Sequence, residues 1–75
     1  MEISLDRLRL GQQGVVTCMD TDVALQRRLR AFGLIPGTCV SCRYRTPDGS
    51  VTALELRGTV IALRRRDMRR IRVRC

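Results

Sequence analysis

The apolar residues of this chain lie in short segments, and glycine- or proline-containing turns separate one segment from the next. The longest purely apolar run is Val60 to Leu63, far below the ~20 residues that a membrane-spanning helix needs. Segments of this length predict short strands. Short strands expose unpaired edges unless their sheet closes on itself, so the pattern favours a small closed or nearly closed sheet.

Five segments are predicted to form strands. They span residues 15–19, 38–45, 51–57, 59–63 and 71–75. Strict alternation of apolar and polar residues assigns an inner face to the second and the last strand. The residues predicted to face inward there are Val40, Cys42, Tyr44, Ile71, Val73 and Cys75. The segment before the first strand, from Ser4 to Leu8, is predicted to form a single helical turn.

One amphipathic helix is predicted between the first and second strands, over residues 22–32, with Asp20 or Thr21 as its cap. Leu25, Leu29 and Phe32 share one face, which should be buried. Gly33 stands where a helix end needs a left-handed residue. Pro36 and Gly37 occupy the central positions of a predicted type II turn. Together these elements predict a mostly β single domain over residues 1–75, a partly open barrel of the SH3 type.

Composition argues against an enzyme. A chain of 75 residues has a small core and little room for a deep pocket. It contains no histidine, which is the commonest general base and metal ligand. No signal peptide is apparent, since Glu2 and Asp6 stand where positive charge is expected. We therefore expect a cytoplasmic, non-enzymatic protein with no cofactor.

The charge suggests acidic partners. The net charge is +8, and all 15 basic residues are arginine. Complete replacement of lysine is better explained by GC-rich codon usage than by selection for phosphate recognition. The charge nevertheless predicts attraction to acidic proteins, anionic membranes and nucleic acids. Two arginine clusters are the candidate partner-binding residues, namely Arg27, Arg28, Arg30, Arg64, Arg65 and Arg66.

Two further functions rest on other residues. A small nucleic-acid-binding barrel usually stacks bases on aromatic side chains, but Phe32 and Tyr44 are both predicted to lie in the core. Specific nucleic-acid binding is therefore not expected. A metal or redox role would need the cysteines. Cys39 and Cys42 lie on opposite faces of a predicted strand, and Cys18 and Cys75 are isolated, so we assign no metal ligand or redox role to them.

Three segments resemble a known family. "RRLRAFGLIPGTCV", "LRGTVIALRRRDMRRIRV" and "LDRLRLGQQGVV" are similar, at matching spacing, to segments of the ferrous iron transport protein A family, FeoA. These motifs are mostly structural. In the resemblance, Leu29, Phe32, Gly33, Pro36 and Gly37 build one corner of the barrel. The four cysteines are not part of the family pattern.

The resemblance implies a small SH3-like domain that regulates ferrous iron uptake or serves as an adaptor in it. Its implied partner is the ferrous iron transporter B, which has a cytosolic G-protein domain. The protein would then be peripheral to the inner membrane through that partner. The alternative function is a basic nucleic-acid-binding barrel. Sequence leaves the oligomeric state open, and also whether the protein binds iron or activates transport.

Overall fold

A computed structural model describes residues 1–75. The elements in chain order are β1 (Glu2–Ser4), a 3-10 turn (Leu5–Arg7), β2 (Gln13–Met19), α1 (Val23–Ala31), β3 (Cys39–Arg45), β4 (Val51–Leu56), β5 (Thr59–Arg64), α2 (Arg65–Met68) and β6 (Ile71–Arg74). All six strands form one antiparallel sheet in the order β1-β6-β2-β3-β4-β5. The domain is mostly β, as predicted.

The strand count differs from the prediction. Six strands form, not five, and α1 therefore lies between the second and third strands. The additional strand is β1, which is only three residues long and pairs with β6 from the far end of the chain. Ser4 ends β1 opposite Arg72 and is also the N-cap residue of the following 3-10 turn, although its side chain makes no capping hydrogen bond. Such a strand depends on distant pairing and has no local sequence pattern.

The sheet wraps around a single core. Its inner residues pack with the helices and the 3-10 turn into one cluster of 14 buried side chains. The 3-10 turn after β1 contacts α2, which follows β5, and Arg69 of α2's C-cap lies 3.9 Å from the Asp6 carboxylate. The segments that follow the two edge strands thereby meet, although β1 and β5 themselves do not pair. The result is a partly open barrel.

Helix α1 ends in a way that places Leu34, and not Phe32, in the core. The helix ends at Ala31, and Phe32 is its C-cap. The N–H of Leu34 donates to the Leu29 carbonyl at 2.9 Å, and Gly33 follows the cap with φ of 90°. This is the Schellman arrangement, in which the residue after the glycine packs back on the helix. Leu34 is fully buried, whereas Phe32 is 50% exposed, so the prediction of a buried Phe32 was wrong.

Two other residues that were predicted to face inward, Tyr44 and Cys75, are exposed. Tyr44 is 59% exposed because the register of β3 against β4 shifts between Cys42 and Tyr44. That bulge turns Tyr44 to the outer face. Cys75 is exposed because it lies beyond the end of β6. The helix cap is Asp22, which accepts from the Leu25 N–H at 2.7 Å, and not Asp20 or Thr21.

The loop between α1 and β3 forms a tight corner of the domain. The Thr38 N–H donates to the Ile35 carbonyl at 3.0 Å, and Gly37 has φ of 94°. These values fit a type II turn, whose third position needs a positive φ. The buried Thr38 hydroxyl donates to the Gly33 carbonyl at 2.8 Å. This bond joins the turn to the helix end.

Candidate partner-binding surface

Three of the six candidate arginines lie together. Arg28 of α1, Arg64 at the end of β5 and Arg66 of α2 line one groove of about 310 Å³. We call it the α1–β5 groove. Its remaining lining residues are Asp22, Ala24, Leu25, Ala62, Leu63 and Asp67. The two arginine clusters, which are separate in sequence, therefore meet in part on one surface.

The candidate arginines have no acidic partner within the protein. The only ion pairs are Arg43 with Glu55, Arg69 with Asp6 and Arg72 with Glu2. Asp22 and Asp67 line the same groove but lie outside ion-pair distance of its guanidinium groups. An arginine whose guanidinium is unpaired can bind a carboxylate or phosphate bidentately without first breaking another contact.

Arg65 lies outside the α1–β5 groove and lines a second groove beside it. This second groove, formed against the β3–β4 turn, is lined by Arg64, Arg65, Arg66 and Arg69 together with Asp48, Ser50 and Val51. The Arg65 guanidinium packs over Gly49, where a side chain would collide with it. The Arg65 N–H donates to the Ser50 carbonyl at 2.9 Å. The turn therefore contacts the start of α2 through both the backbone and the side chain of Arg65.

Asp48 is the acidic residue of this second groove. The Ser50 N–H donates to its carboxylate at 3.0 Å, and the hydroxyls of Thr46 and Ser50 each donate at 2.8 Å. These bonds, the backbone N–H first, lower the pKa of Asp48 from 3.8 to about 2. The carboxylate is thus charged at neutral pH and is engaged in holding the turn.

The other two candidate arginines lie elsewhere. Arg30 lines a separate, smaller groove with Met19, Gln26 and Leu34. Arg27 is exposed on α1 and lines none of these three grooves. The predicted cluster of Arg27, Arg28 and Arg30 is therefore divided among different surfaces. Adjacent positions on a helix point in different directions, and the sequence alone does not show which of them faces β5.

Arg45 has a structural role that its neighbours in the sequence do not indicate. It is half-buried, and its guanidinium donates to the Leu8 carbonyl and, at 3.2 Å, to the Thr52 hydroxyl. Leu8 and Thr52 are both buried. The arginines therefore fall into at least two groups, those that hold the fold and those that are free on the surface.

Both aromatic side chains are exposed, which removes one argument against nucleic-acid binding. Phe32 and Tyr44 were predicted to be core residues and hence unavailable for stacking. They are 50% and 59% exposed. Neither of them lines the α1–β5 groove or the second groove.

The cysteines are free thiols at four separate positions. Cys42 is buried, whereas Cys18, Cys39 and Cys75 are exposed. Cys39 and Cys42 lie on opposite faces of β3, as their spacing predicts. No group of three or more cysteine, aspartate or glutamate side chains is arranged to hold a metal ion. Neither helix has the length and hydrophobicity that crossing a bilayer requires.

Several solved structures have the same fold. A FeoA protein from Chlorobium tepidum is 26% identical, with a TM-score of 0.92 over 96% of this chain and 69% of that one. A FeoA from Stenotrophomonas maltophilia, solved with zinc and described as a prokaryotic SH3 domain protein, is 29% identical, with a TM-score of 0.79 over 95% and 88% of the two chains. An iron uptake regulatory FeoA protein is 23% identical, with a TM-score of 0.86 over 99% and 97%.

A comparison with curated protein sequences gives no match. The family model of the FeoA domain, in contrast, matches residues 3–75, which is nearly the whole chain. The match includes all three segments whose resemblance the sequence had indicated, and the fold agrees with the SH3-like architecture expected from them. This chain belongs to the FeoA domain family.

Proposed function

We propose that this protein is a non-enzymatic accessory protein of ferrous iron transport that works by binding another protein in the cytoplasm. Membership in the FeoA family supports the role in iron transport. The S. maltophilia relative is itself proposed to act as a ferrous iron transport activating factor. The absence of histidine and the lack of any clustered metal-ligand set give no support to a catalytic or metal-carrying role.

The proposed partner is the cytosolic part of the ferrous iron transporter B. The observation that carries this proposal is the set of unpaired guanidinium groups in the α1–β5 groove, Arg28, Arg64 and Arg66. A basic groove on a protein of net charge +8 complements an acidic patch. Such complementarity steers association and fixes the orientation of the complex.

Charge reversal inside and outside the groove tests this assignment. The double variant Arg28→Glu, Arg64→Glu and the control Arg9→Glu, Arg27→Glu change the net charge equally, but only the first changes the groove. Binding to the soluble cytosolic domain of the same organism's transporter is measured by calorimetry at physiological salt. We expect the groove variant to bind about tenfold more weakly or worse, which is about 1.4 kcal/mol, and the control to change little.

Two results would contradict the assignment. Equal losses in both variants would mean that net charge alone drives binding. Unchanged affinity in the groove variant, with a folded domain, would remove the α1–β5 groove from the interface. Both variants should keep the stability of the parent protein, because substitutions at exposed, unpaired surface positions usually change it by less than about 0.5 kcal/mol.

The exposed aromatic side chains and the unpaired arginines favour a second candidate, binding to nucleic acid. Electrostatic binding to phosphates falls steeply as salt rises. Titration of a labelled oligonucleotide at two salt concentrations separates the cases. Affinity that persists at physiological salt and falls in a Tyr44→Ala variant would favour this candidate, whereas affinity lost at physiological salt would reduce it to non-specific attraction.

A further inference from the structure

β5 is an edge of the sheet with one side unpaired. It stands last in the strand order and pairs only with β4. The opposite edge is β1, which is three residues long, whereas β5 has six residues. The outer side of β5 is therefore the longer free edge of the domain.

The register identifies the backbone groups that face outward. β4 and β5 are joined by the two-residue turn Arg57–Gly58, and Leu56 lies opposite Thr59. Hydrogen-bonded and non-hydrogen-bonded pairs alternate from such a turn. The Arg65 N–H bond to Ser50 at 2.9 Å continues the hydrogen-bonded series beyond the strands.

It follows that the N–H and C=O groups of Val60 and Ala62, and the N–H of Arg64, point away from β4. β5 has no other strand partner, and no turn or side-chain hydrogen bond involves Val60 or Ala62. The Arg64 carbonyl is not part of this free row, because Arg64 is the N-cap of α2 and its carbonyl accepts the first bond of that helix. All three residues are exposed. They form an open row of donors and acceptors at the spacing that an extended chain matches.

This edge lacks most of the features that usually protect a free edge. Proteins block such edges with proline, charged side chains, bulges, very short strands or a covering helix. β5 contains no proline, its register against β4 is regular throughout, and its only charged residue is Arg64 at its end. Val60, on the outer face, is 61% exposed. An edge left open in this way is available to pair with another chain.

The α1–β5 groove lies along the same edge and determines which chain would fit. Ala62, Leu63 and Arg64 line it from β5, and Ala24, Leu25 and Arg28 line it from α1. Apolar side chains thus form part of both walls, and unpaired guanidinium groups line the groove as well. With Arg66 included, three arginines line the groove together with the carboxylates of Asp22 and Asp67. The groove retains a net positive charge.

We propose that β5 accepts an extended acidic segment of a partner protein, which adds to the sheet as a further strand. Main-chain hydrogen bonds to Val60, Ala62 and Arg64 would supply the register, and Arg28 and Arg64 would select acidic side chains. This proposal deepens the proposed function and rests on it for the identity of the partner. A second copy of this chain is disfavoured, because pairing of two β5 strands would bring two arginine-lined grooves together.

The first test uses a synthetic peptide of alternating valine and glutamate, with blocked ends, added to the ¹⁵N-labelled protein. We expect large shifts and slowed hydrogen exchange at the amides of Val60, Ala62 and Arg64. The amides of Ile61 and Leu63 already pair with β4 and should not gain protection. A peptide in which arginine replaces glutamate should not bind. No shift at β5 with the acidic peptide at about 1 mM, or equal binding of both peptides, would overturn the proposal.

The second test removes one outward N–H. Ala62→Pro removes a donor that β4 does not use, and proline is tolerated at such edge positions. The control Ala62→Val keeps the donor. We expect Ala62→Pro to bind the acidic peptide about tenfold more weakly, since one peptide carbonyl is left without its donor. A peptide N-methylated on the amides that face β5 should lose binding to the unaltered protein, which provides the same test without a variant. Unchanged affinity in either experiment would overturn the proposal.

The transporter domain then distinguishes this proposal from the proposed function. If the acidic peptide binds at β5 but the transporter's cytosolic domain does not bind, the edge proposal stands and the proposed partner is wrong. If that domain binds the protein and its Ala62→Pro variant equally, the proposed function stands and the edge proposal is wrong. Concentration-dependent dimerisation through β5, with no peptide binding, would replace the acidic segment by a second copy.

Discussion

Arg45 should be the arginine on which folding depends most. Its guanidinium donates to the Leu8 carbonyl and to the Thr52 hydroxyl, and both acceptors belong to buried residues. No other protein group donates to either oxygen. Arg45→Met keeps the aliphatic bulk of the side chain and removes both donors.

The expected loss can be worked out from these two bonds. A buried acceptor left without its donor costs about 1–3 kcal/mol. Arg45 is only half-buried, so water replaces part of each bond, and we expect a total of about 2–4 kcal/mol. A domain of this size has a total stability of about 4–11 kcal/mol. The loss would therefore be a large share of the free energy of unfolding.

Urea denaturation followed by far-ultraviolet circular dichroism measures the effect. With a slope of about 1 kcal/mol per molar urea, the midpoint should fall by about 2 M or more. Arg64→Met is the matched control, because the Arg64 guanidinium has no hydrogen bond or ion pair. That variant should remain within about 0.5 kcal/mol of the parent protein. Equal midpoints for the two variants would refute the division of the arginines into structural and free groups.

Two further predictions concern the helix end and the β3–β4 turn. Leu29→Ala should lower the free energy of unfolding by about 2–5 kcal/mol. Phe32→Ala should lower it less, because half of Phe32 is exposed. The reverse order in urea denaturation would mean that Phe32 contributes more to the core than Leu29 does. The folded-state pKa of Asp48 lies at about 2, below its ordinary value of 3.8. Its contribution to stability is therefore full above about pH 5 and lost as pH falls through about 2. The free energies of unfolding of the parent and of Asp48→Asn, measured from pH 7 to pH 2, should differ by an amount that shrinks only below about pH 4. A difference that does not change with pH would contradict this.

Features that depend on nearby residues could be predicted from the sequence. The Pro36–Gly37 pair predicts a type II turn, and the positive φ of Gly37 and the Thr38 bond to Ile35 have the expected form. The end of helix α1 just before Gly33 and the burial of Leu29 also follow from short-range rules. In these cases the residues that decide the conformation lie within a few positions of one another.

Features that depend on pairing between distant strands could not be predicted from the sequence. β1 exists because β6 pairs with it, and Tyr44 faces outward because a bulge shifts β3 against β4. Sequence alternation assumes regular strands and gives no sign of either. The same limit applies to the site, because only the folded chain brings Arg28 to Arg64 and Arg66 and leaves Arg27 elsewhere. A free edge such as β5 is likewise a property of strand order.

We propose above all that the α1–β5 groove binds the cytosolic part of the ferrous iron transporter B. The most direct measurement is a titration of the ¹⁵N-labelled protein with that soluble domain at physiological salt. We expect localised amide shifts at Arg28, Ala62, Arg64 and Arg66. Shifts confined to β1 and β6, or none at concentrations well above micromolar, would contradict it.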